Sequence, residues 1–463
     1  MQGMRILFWY EWVVNKIPQK YCVQSVELKL EKHFNQPMDA NSLLIGRFKM
    51  QCNQFSGIIS KGLSKPKQNL VKQMIYGIQA SKDVKLSNIS RSLQEPIPLI
   101  KTEDRLSRNL DDEDLSEHIN GHLLRLGDDK IHKDMVIAID PGDIMKPYAK
   151  AMEHLCNIYD GSEKEPAKGY HLCQVTAANL DHNKVVPLYC EAYSSIEENF
   201  AGKTEKIKAI ISRVKKSIGT NGTWAIDREG DNNELIEHFM TEELTFVTRL
   251  KLSRFVHLNG NTAAQVQSDH LTRHVSLNHK ARITKIEDGK ETVINVTYGV
   301  ATAALPHQPD KEFTLVMIAG FGQHPMILLT NKQVNTKDPK AVWQIIEIYL
   351  TRWKCDECYR YIKQSYNLED LRVRSYISIR NIAVMVHAIA YFASVYLGLS
   401  MKLKIMVQKI FILSKRFFGV PTFYHYAMAD GIFELLKKAR QGIDLIGKTG
   451  ITHDQCQLDL FPD

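Results

Sequence analysis

The run YLTRWKCDECYRYIK, from Tyr349 to Lys363, places a phenol, an acid and three cations at spacings that one face of a helix can collect. At about 100° per residue, Tyr349, Arg352, Asp356, Arg360 and Lys363 fall within an arc of roughly 80°. A second stripe, Ile348, Cys355, Tyr359, Ile362 and Tyr366, is apolar enough to sit on a core. Such a helix holds one carboxylate beside three positive charges aimed at phosphate; the plainer alternative is a solvated face of i,i+4 ion pairs. Two more acids end apolar, strand-like runs upstream: Asp140 in DMVIAIDPGD and Asp227 in GTWAIDREGD. A carboxylate at the carboxyl end of a buried strand can be held rigidly at the edge of a sheet, although an Asp before Pro141-Gly142 also suits a turn. Asp231 with Glu234 reads as a capping box for NNELIEHFM, which gives Asp231 a structural task and leaves Asp227 at the tip.

The spacing Y-x2-R-x3-acid-x6-K resembles the signature of the DDE insertion-sequence transposases of the "IS-four" family, whose metal-binding Glu lies between the Arg and the Lys. Here the position four after Arg352 holds Asp356, and Glu357 follows it. Glu357 lies about 100° further around the helix, so Asp356 is the favoured ligand and Glu357 the alternative. Asp227-Arg228-Glu229-Gly230-Asp231 resembles the family's D-R-E-x-D box around its second catalytic acid. Over about residues 40 to 400, the resemblance implies a cut-and-paste DNA transposase with Asp140, Asp227 and Asp356 as metal ligands. Tyr349, Arg352, Arg360, Lys363 and Arg228 are then the DNA-binding residues. Three clustered carboxylates repel unless cations neutralise them, and oxygen-only ligands favour Mg²⁺ or Mn²⁺. Two such ions about 3.5–4 Å apart serve an in-line attack by water or a 3′-hydroxyl. Arg352 would grip one phosphate, Lys363 a second, and Tyr349 would hydrogen-bond a third. The resemblance further implies terminal inverted repeats and target DNA as partners, a homodimer on DNA, and a cytoplasmic, nucleoid-associated bacterial protein. Two other readings are a catalytically silent DNA-binding descendant, which Asp in place of Glu at 356 keeps open, and an RNase H-like nuclease.

The whole chain agrees with an anionic partner without naming it: 463 residues, 44% hydrophobic, 24% charged, net charge +8 and a pI near 8.8. Eight cysteines in no regular framework suit a reducing cytosol, and Cys355-x-x-Cys358, the one CxxC, has no second half to complete a zinc site. The run NIAVMVHAIAYFASVYLGL, interrupted by His387, is expected to be a buried helix rather than a membrane span.

In chain order, residues 1–38 are an uncertain leader, either a surface helix or an over-extended reading frame with the start near Met38. Residues 39–130 are expected to be a helical DNA-binding domain, with KPKQNLVKQMIYGIQAS and LSNISRSL as a candidate helix-turn-helix. Residues 131–251 and 335–400 show the strand-strand-strand-helix-strand order of an RNase H-like catalytic core, interrupted by a β-rich insertion over 252–334. Residues 401–463 read as a C-terminal helical region whose FELLKKAR segment is a candidate for packing against a partner subunit. The expected class is therefore α/β.

Overall fold

The computed structural model describes residues 40–160, 165–181, 184–287, 290–397, 425–439 and 441–443. The leader 1–38 and most of the tail beyond 397 lie outside the described residues. Among the described residues five helices come first: α1 Ala40–Ile59, α2 Lys65–Ser81, α3 Leu86–Leu93, α4 Leu99–Asp111 and α5 Ser116–Gly127. Pro66 sits in the first turn of α2, where its missing N–H costs nothing, and Leu70, Val71, Met74, Ile75 and Ile78 form its buried stripe. Several of the basic residues here have acid partners: Lys67 with Asp112, Lys82 with Asp430, Lys85 with Asp370 and Arg105 with Glu95. Arg91 of α3 remains solvent-facing. These helices join the core of the rest of the chain rather than closing on themselves, since α2, α4 and α5 all pack on a later helix, α10, Tyr376–Tyr391.

Strands β1 Val136–Met145, β2 Cys156–Asp160, β3 Glu165–Ala178 and β4 Val185–Tyr193 follow, then α6 Lys203–Ile218, β5 Thr223–Ile226, α7 Asn233–Thr241 and β6 Phe246–Arg249. β3 runs antiparallel to both β1 and β4, whereas β1, β5 and β6 are parallel neighbours in that order. The next strands are β7 Phe255–Leu258, β8 Asn261–Gln267, β9 His279–Glu287, β10 Lys290–Leu305, β11 Gln308–Ala319 and β12 Met326–Thr330. They do not form a separate body: β12 pairs with β6, so the β-rich segment continues the same twelve-stranded mixed sheet. The class is mixed α/β.

Helices α8 Pro339–Thr351 and α9 Trp353–Ser365 come next, and α10 leads into a π-turn over Phe392–Tyr396. The strand alternation divides the sheet between two cores. Ile137, Ile139, Trp224 and Ile226 meet Ile207, Ile210 and Ile211 of α6 in one, while Val136, Ala225 and Val247 meet Val342, Ile345 and Ile346 of α8 in the other. The last described helix, α11 His425–Leu436, buries Met428, Ala429, Ile432 and Leu435 against this chain's own α2 and α9. That apolar stripe is consumed within the subunit.

The run 376–396 is long and apolar enough to cross a bilayer, but it is wrapped by β4, α2, α4 and α5. His387 lies fully buried within it, and neither ring nitrogen has a partner among the described residues. Burial pushes its pKa down to about 3. The unfolded chain, near the ordinary 6.5, takes up the proton first, so this site's stability is present above about pH 6.5 and lost as pH falls toward 3. His387→Leu is expected to stabilise the protein by about 1–3 kcal/mol, by removing unsatisfied polar atoms. Urea unfolding should show a larger gain at pH 5 than at pH 7.5.

Candidate active site

Parallel register places the first two acids. Ala138 of β1 lies opposite Ala225 of β5, which lies opposite Val247 of β6. Two residues further along each strand, on the same face, come Asp140, Asp227 and Arg249. An acid, an acid and an arginine thus form one row across three adjacent parallel strands: β5 and β6 end here, whereas β1 runs on through Pro141 and Gly142 to Met145 against β3, so the strand end and turn expected at Asp140 are not formed. Asp227 is steadied by its surroundings: Oδ1 accepts from the Glu229 backbone N–H at 2.9 Å, and its carbonyl accepts from Thr248 Oγ1 at 3.0 Å. Gly230 completes the turn because a Cβ there would lie 2.1 Å from Ile226 Cγ2 and 2.6 Å from Thr248 Oγ1.

Asp231 is buried, but it is not a helix cap. Asn232 caps α7, accepting from Glu234 N at 2.9 Å, whereas Asp231 binds Arg254 Nε at 2.6 Å and Lys251 N at 2.7 Å. The role is structural as expected, but Asp231 fastens the segment after β6 instead.

The third acid arrives from a helix that is not continuous. α8 ends at Thr351 and α9 starts at Trp353, with Arg352 at the joint. There Arg352 N donates to the Tyr349 carbonyl at 3.2 Å, and Thr351 Oγ1 donates to the Glu347 carbonyl at 2.8 Å, the back-bonding that bends helices. Tyr349 therefore belongs to α8, with the other four residues of the expected single face at or beyond the break. Tyr359 packs α9 down on β1: its hydroxyl donates to the Asp143 carbonyl, and a Cβ on Gly142 would lie 2.9 Å from its ring. Only a glycine at 142 lets α9 approach this closely.

At the junction Arg352 Nη1 lies 2.8 Å from Asp356 Oδ1 and 3.6 Å from Asp140 Oδ1. The guanidinium also stands over the Tyr349 ring at 5.7 Å. Burial raises the pKa of Asp140 to about 8, and the charges of Asp356, Asp227 and Glu229 push the same way, against Arg352. Burial raises that of Asp356 too, opposed by Arg352 and Arg360 and reinforced by Asp227. Burial works to neutralise Arg352, but the surrounding negative charges outweigh it and keep the guanidinium firmly charged. Although the three carboxylates feel one another, no three acid, histidine or cysteine groups among the described residues stand close enough together to hold a metal ion.

The other residues separate. Glu357 turns away to Lys354 at 2.8 Å. Lys363 leaves the basic face: it pairs with Glu369 at 2.6 Å and lies over the Tyr359 ring at 4.7 Å, because the turn after α9 brings an acid back to it. Arg360 and Arg228 are exposed, and Arg360 lies within electrostatic reach of Asp356. Arg249, which the sequence reading passed over, is half-buried and hydrogen-bonded to Tyr349; burial and then the Arg228 charge lower its pKa. A strand-end Arg in TFVTRL was the available signal, the same kind that marks Asp227. Trp353, beside Arg352, is 44% exposed.

No family model and no curated protein matches this chain. Among solved structures it is similar to a piggyBac transposase, seen by cryo-electron microscopy in a synaptic complex with hairpin DNA. That likeness has 9% identity and a TM-score of 0.41 and covers 95% of this chain and 83% of the other. A likeness at that level identifies no acting residue, and the chemistry rests on the geometry of the site itself.

As a donor set, Asp140, Asp227 and Asp356 offer only hard oxygens, in a half-buried place where their mutual repulsion calls for positive charge. That chemistry fits Mg²⁺ or Mn²⁺.

Proposed function

We propose that this chain is a DNA transposase whose strand cleavage and strand transfer depend on a divalent metal. The observation that carries the reading is the alignment of Asp140, within β1, with Asp227, at the end of the adjacent parallel β5, and Asp356 brought over them by α9. The order β4-β3-β1-β5-β6, with three antiparallel strands and then two parallel additions, supports an RNase H-like core. Asp140, Asp227 and Asp356 would hold Mg²⁺ or Mn²⁺, with two ions as the working number. The metal would supply activation of a water or 3′-hydroxyl and stabilisation of the leaving oxygen.

The chain's own groups do the rest. Arg249 and Arg352 flank Tyr349 and can fix a phosphate between them, the guanidinium forks matching its oxygens. Exposed Arg228 and Arg360 extend the positive surface outward, where a duplex can lie. Trp353 adds an exposed aromatic face beside them. Lys363, paired with Glu369, serves the position of α9 more than the phosphate. A homodimer joining two element ends, terminal-repeat recognition through α2 and α3, and a nucleoid location in a bacterial cytoplasm belong to the same reading.

The test is incubation of the purified full chain with supercoiled DNA carrying the element ends, in EDTA, Mg²⁺ or Mn²⁺. Cleavage should be absent in EDTA and appear with either ion, while DNA binding should weaken steeply as salt rises. One observation favours a second reading, a catalytically silent DNA-binding protein: the charge of Arg352 sits between two of the acids. Tight binding with no cleavage in Mn²⁺ would select it.

A further inference from the structure

We infer that Arg352 is an internal counter-ion that exchanges with the divalent metal, leaving the acids for DNA phosphate when the metal enters. The inference rests on the metal-dependent reading of this site. One guanidinium nitrogen faces both Asp356, at 2.8 Å, and Asp140, at 3.6 Å, so the side chain stands where positive charge is required. With it there, the acids are neutralised in part but not gathered into a ligand set. A divalent ion cannot take Asp140 and Asp356 together while the guanidinium lies against both.

The pose of Arg352 is also incomplete as a structural salt bridge. Its side chain is 9% exposed, and its Nε is buried without a hydrogen-bond partner among the described residues. A buried guanidinium held for stability alone is normally satisfied at every donor, because an orphaned N–H costs free energy. The backbone favours movement: Arg352 is the joint between α8 and α9, where the i→i−4 ladder is already interrupted. A modest rotation there re-aims the side chain without melting either helix. Toward solvent lie exposed Trp353 and Arg360, so the side on which DNA would lie is the one the guanidinium can reach.

Exchange couples the two ligands. Without DNA, the metal must displace a well-placed cation; with a phosphate ready to receive Arg352, it need not leave that charge unpaired. Metal and DNA therefore tighten each other's binding by the same factor.

The experiment measures Mn²⁺ binding to the full chain, without DNA, by calorimetry and by the electron paramagnetic resonance of free Mn²⁺. Wild type, Arg352→Ala, Arg352→Gln, Arg352→Lys and Asp140→Asn are compared, each checked for folding by circular dichroism. Removing the charge should tighten Mn²⁺ binding by about 5-fold or more, within the usual range of coupled sites. Arg352→Lys should stay near wild type, and Asp140→Asn should bind worst. If Arg352→Ala does not fold, Arg352→Gln, which keeps length and loses charge, carries the comparison. Equal or weaker binding by the folded, charge-free variants overturns the exchange and leaves the metal site standing. No Mn²⁺ binding by folded wild type or any Arg352 variant removes the metal reading and the exchange with it.

Discussion

Asp140→Ala or Asp227→Ala is expected to lower metal-dependent strand cleavage by on the order of 10³-fold, about 4 kcal/mol of barrier, while leaving DNA affinity nearly intact. The two acids stand side by side on adjacent parallel strands, so neither can replace the other, whereas the exposed cations that would contact DNA are untouched. Gel-shift and cleavage assays on the same preparations separate the effects, and full cleavage by either variant would refute the assignment. Metal-free stability supplies an independent check. Burial and neighbouring acids raise the pKa of Asp140 to about 8, above roughly 3.9 in the unfolded chain. The folded state therefore holds the proton more tightly, and the associated stability is full below about pH 4 and lost as pH rises through about 8. Asp140→Asn, which cannot ionise, should melt higher than wild type in EDTA, with a larger difference at pH 8 than at pH 5. A difference of the opposite sign would mean that the Arg352 contact outweighs the cost of burying the charge.

The second large effect separates the adjacent acids of α9. Asp356 shares Arg352 with Asp140, whereas Glu357 lies against Lys354 on another side of the helix. Asp356→Ala should abolish cleavage, and Glu357→Ala should leave most of it. Asp356→Glu should retain or raise activity, since the longer arm brings the carboxylate about one methylene nearer, and about 1 Å of placement can change a rate 10²-fold. Single-turnover cleavage of an end-bearing duplex ranks the three. The reverse ranking would give the role to Glu357. Activity confined to Asp356→Glu would identify the natural chain as a silent binder.

Much of this was open to a reader of the residues alone. An apolar run closed by an acid is a local pattern, and it located the end of β5 at Asp227; at Asp140 it misplaced the end of β1, which runs on through Pro141 and Gly142 to Met145 because β3 continues to pair with it. Helical periodicity put Ile348, Cys355, Ile362 and Tyr366 inside, and they are buried. The same arithmetic turned Glu357 away from Asp356, as the structure does. The buried fate of the 376–396 helix followed from a run interrupted by His387.

What local pattern could not hold was anything set by pairing between distant segments. Arg249 joins the row of Asp140 and Asp227 only because β6 is parallel to β5 in one particular register; a slip of one residue would turn it to the other face. The break at Arg352 likewise has no mark in side-chain spacing. On its two sides the helices answer to different strands, α8 packing chiefly on β5 and β6 and α9 on β3 and β1. Lys363 was drawn off the basic face by Glu369, and Asp231 was drawn from α7 to Arg254, each by a partner that the chain's path brings near. Period and propensity are properties of a few neighbouring residues and survive in the bare sequence. Register, docking angle and the choice of ion partner depend on the whole fold, and in this chain they decide which charges meet.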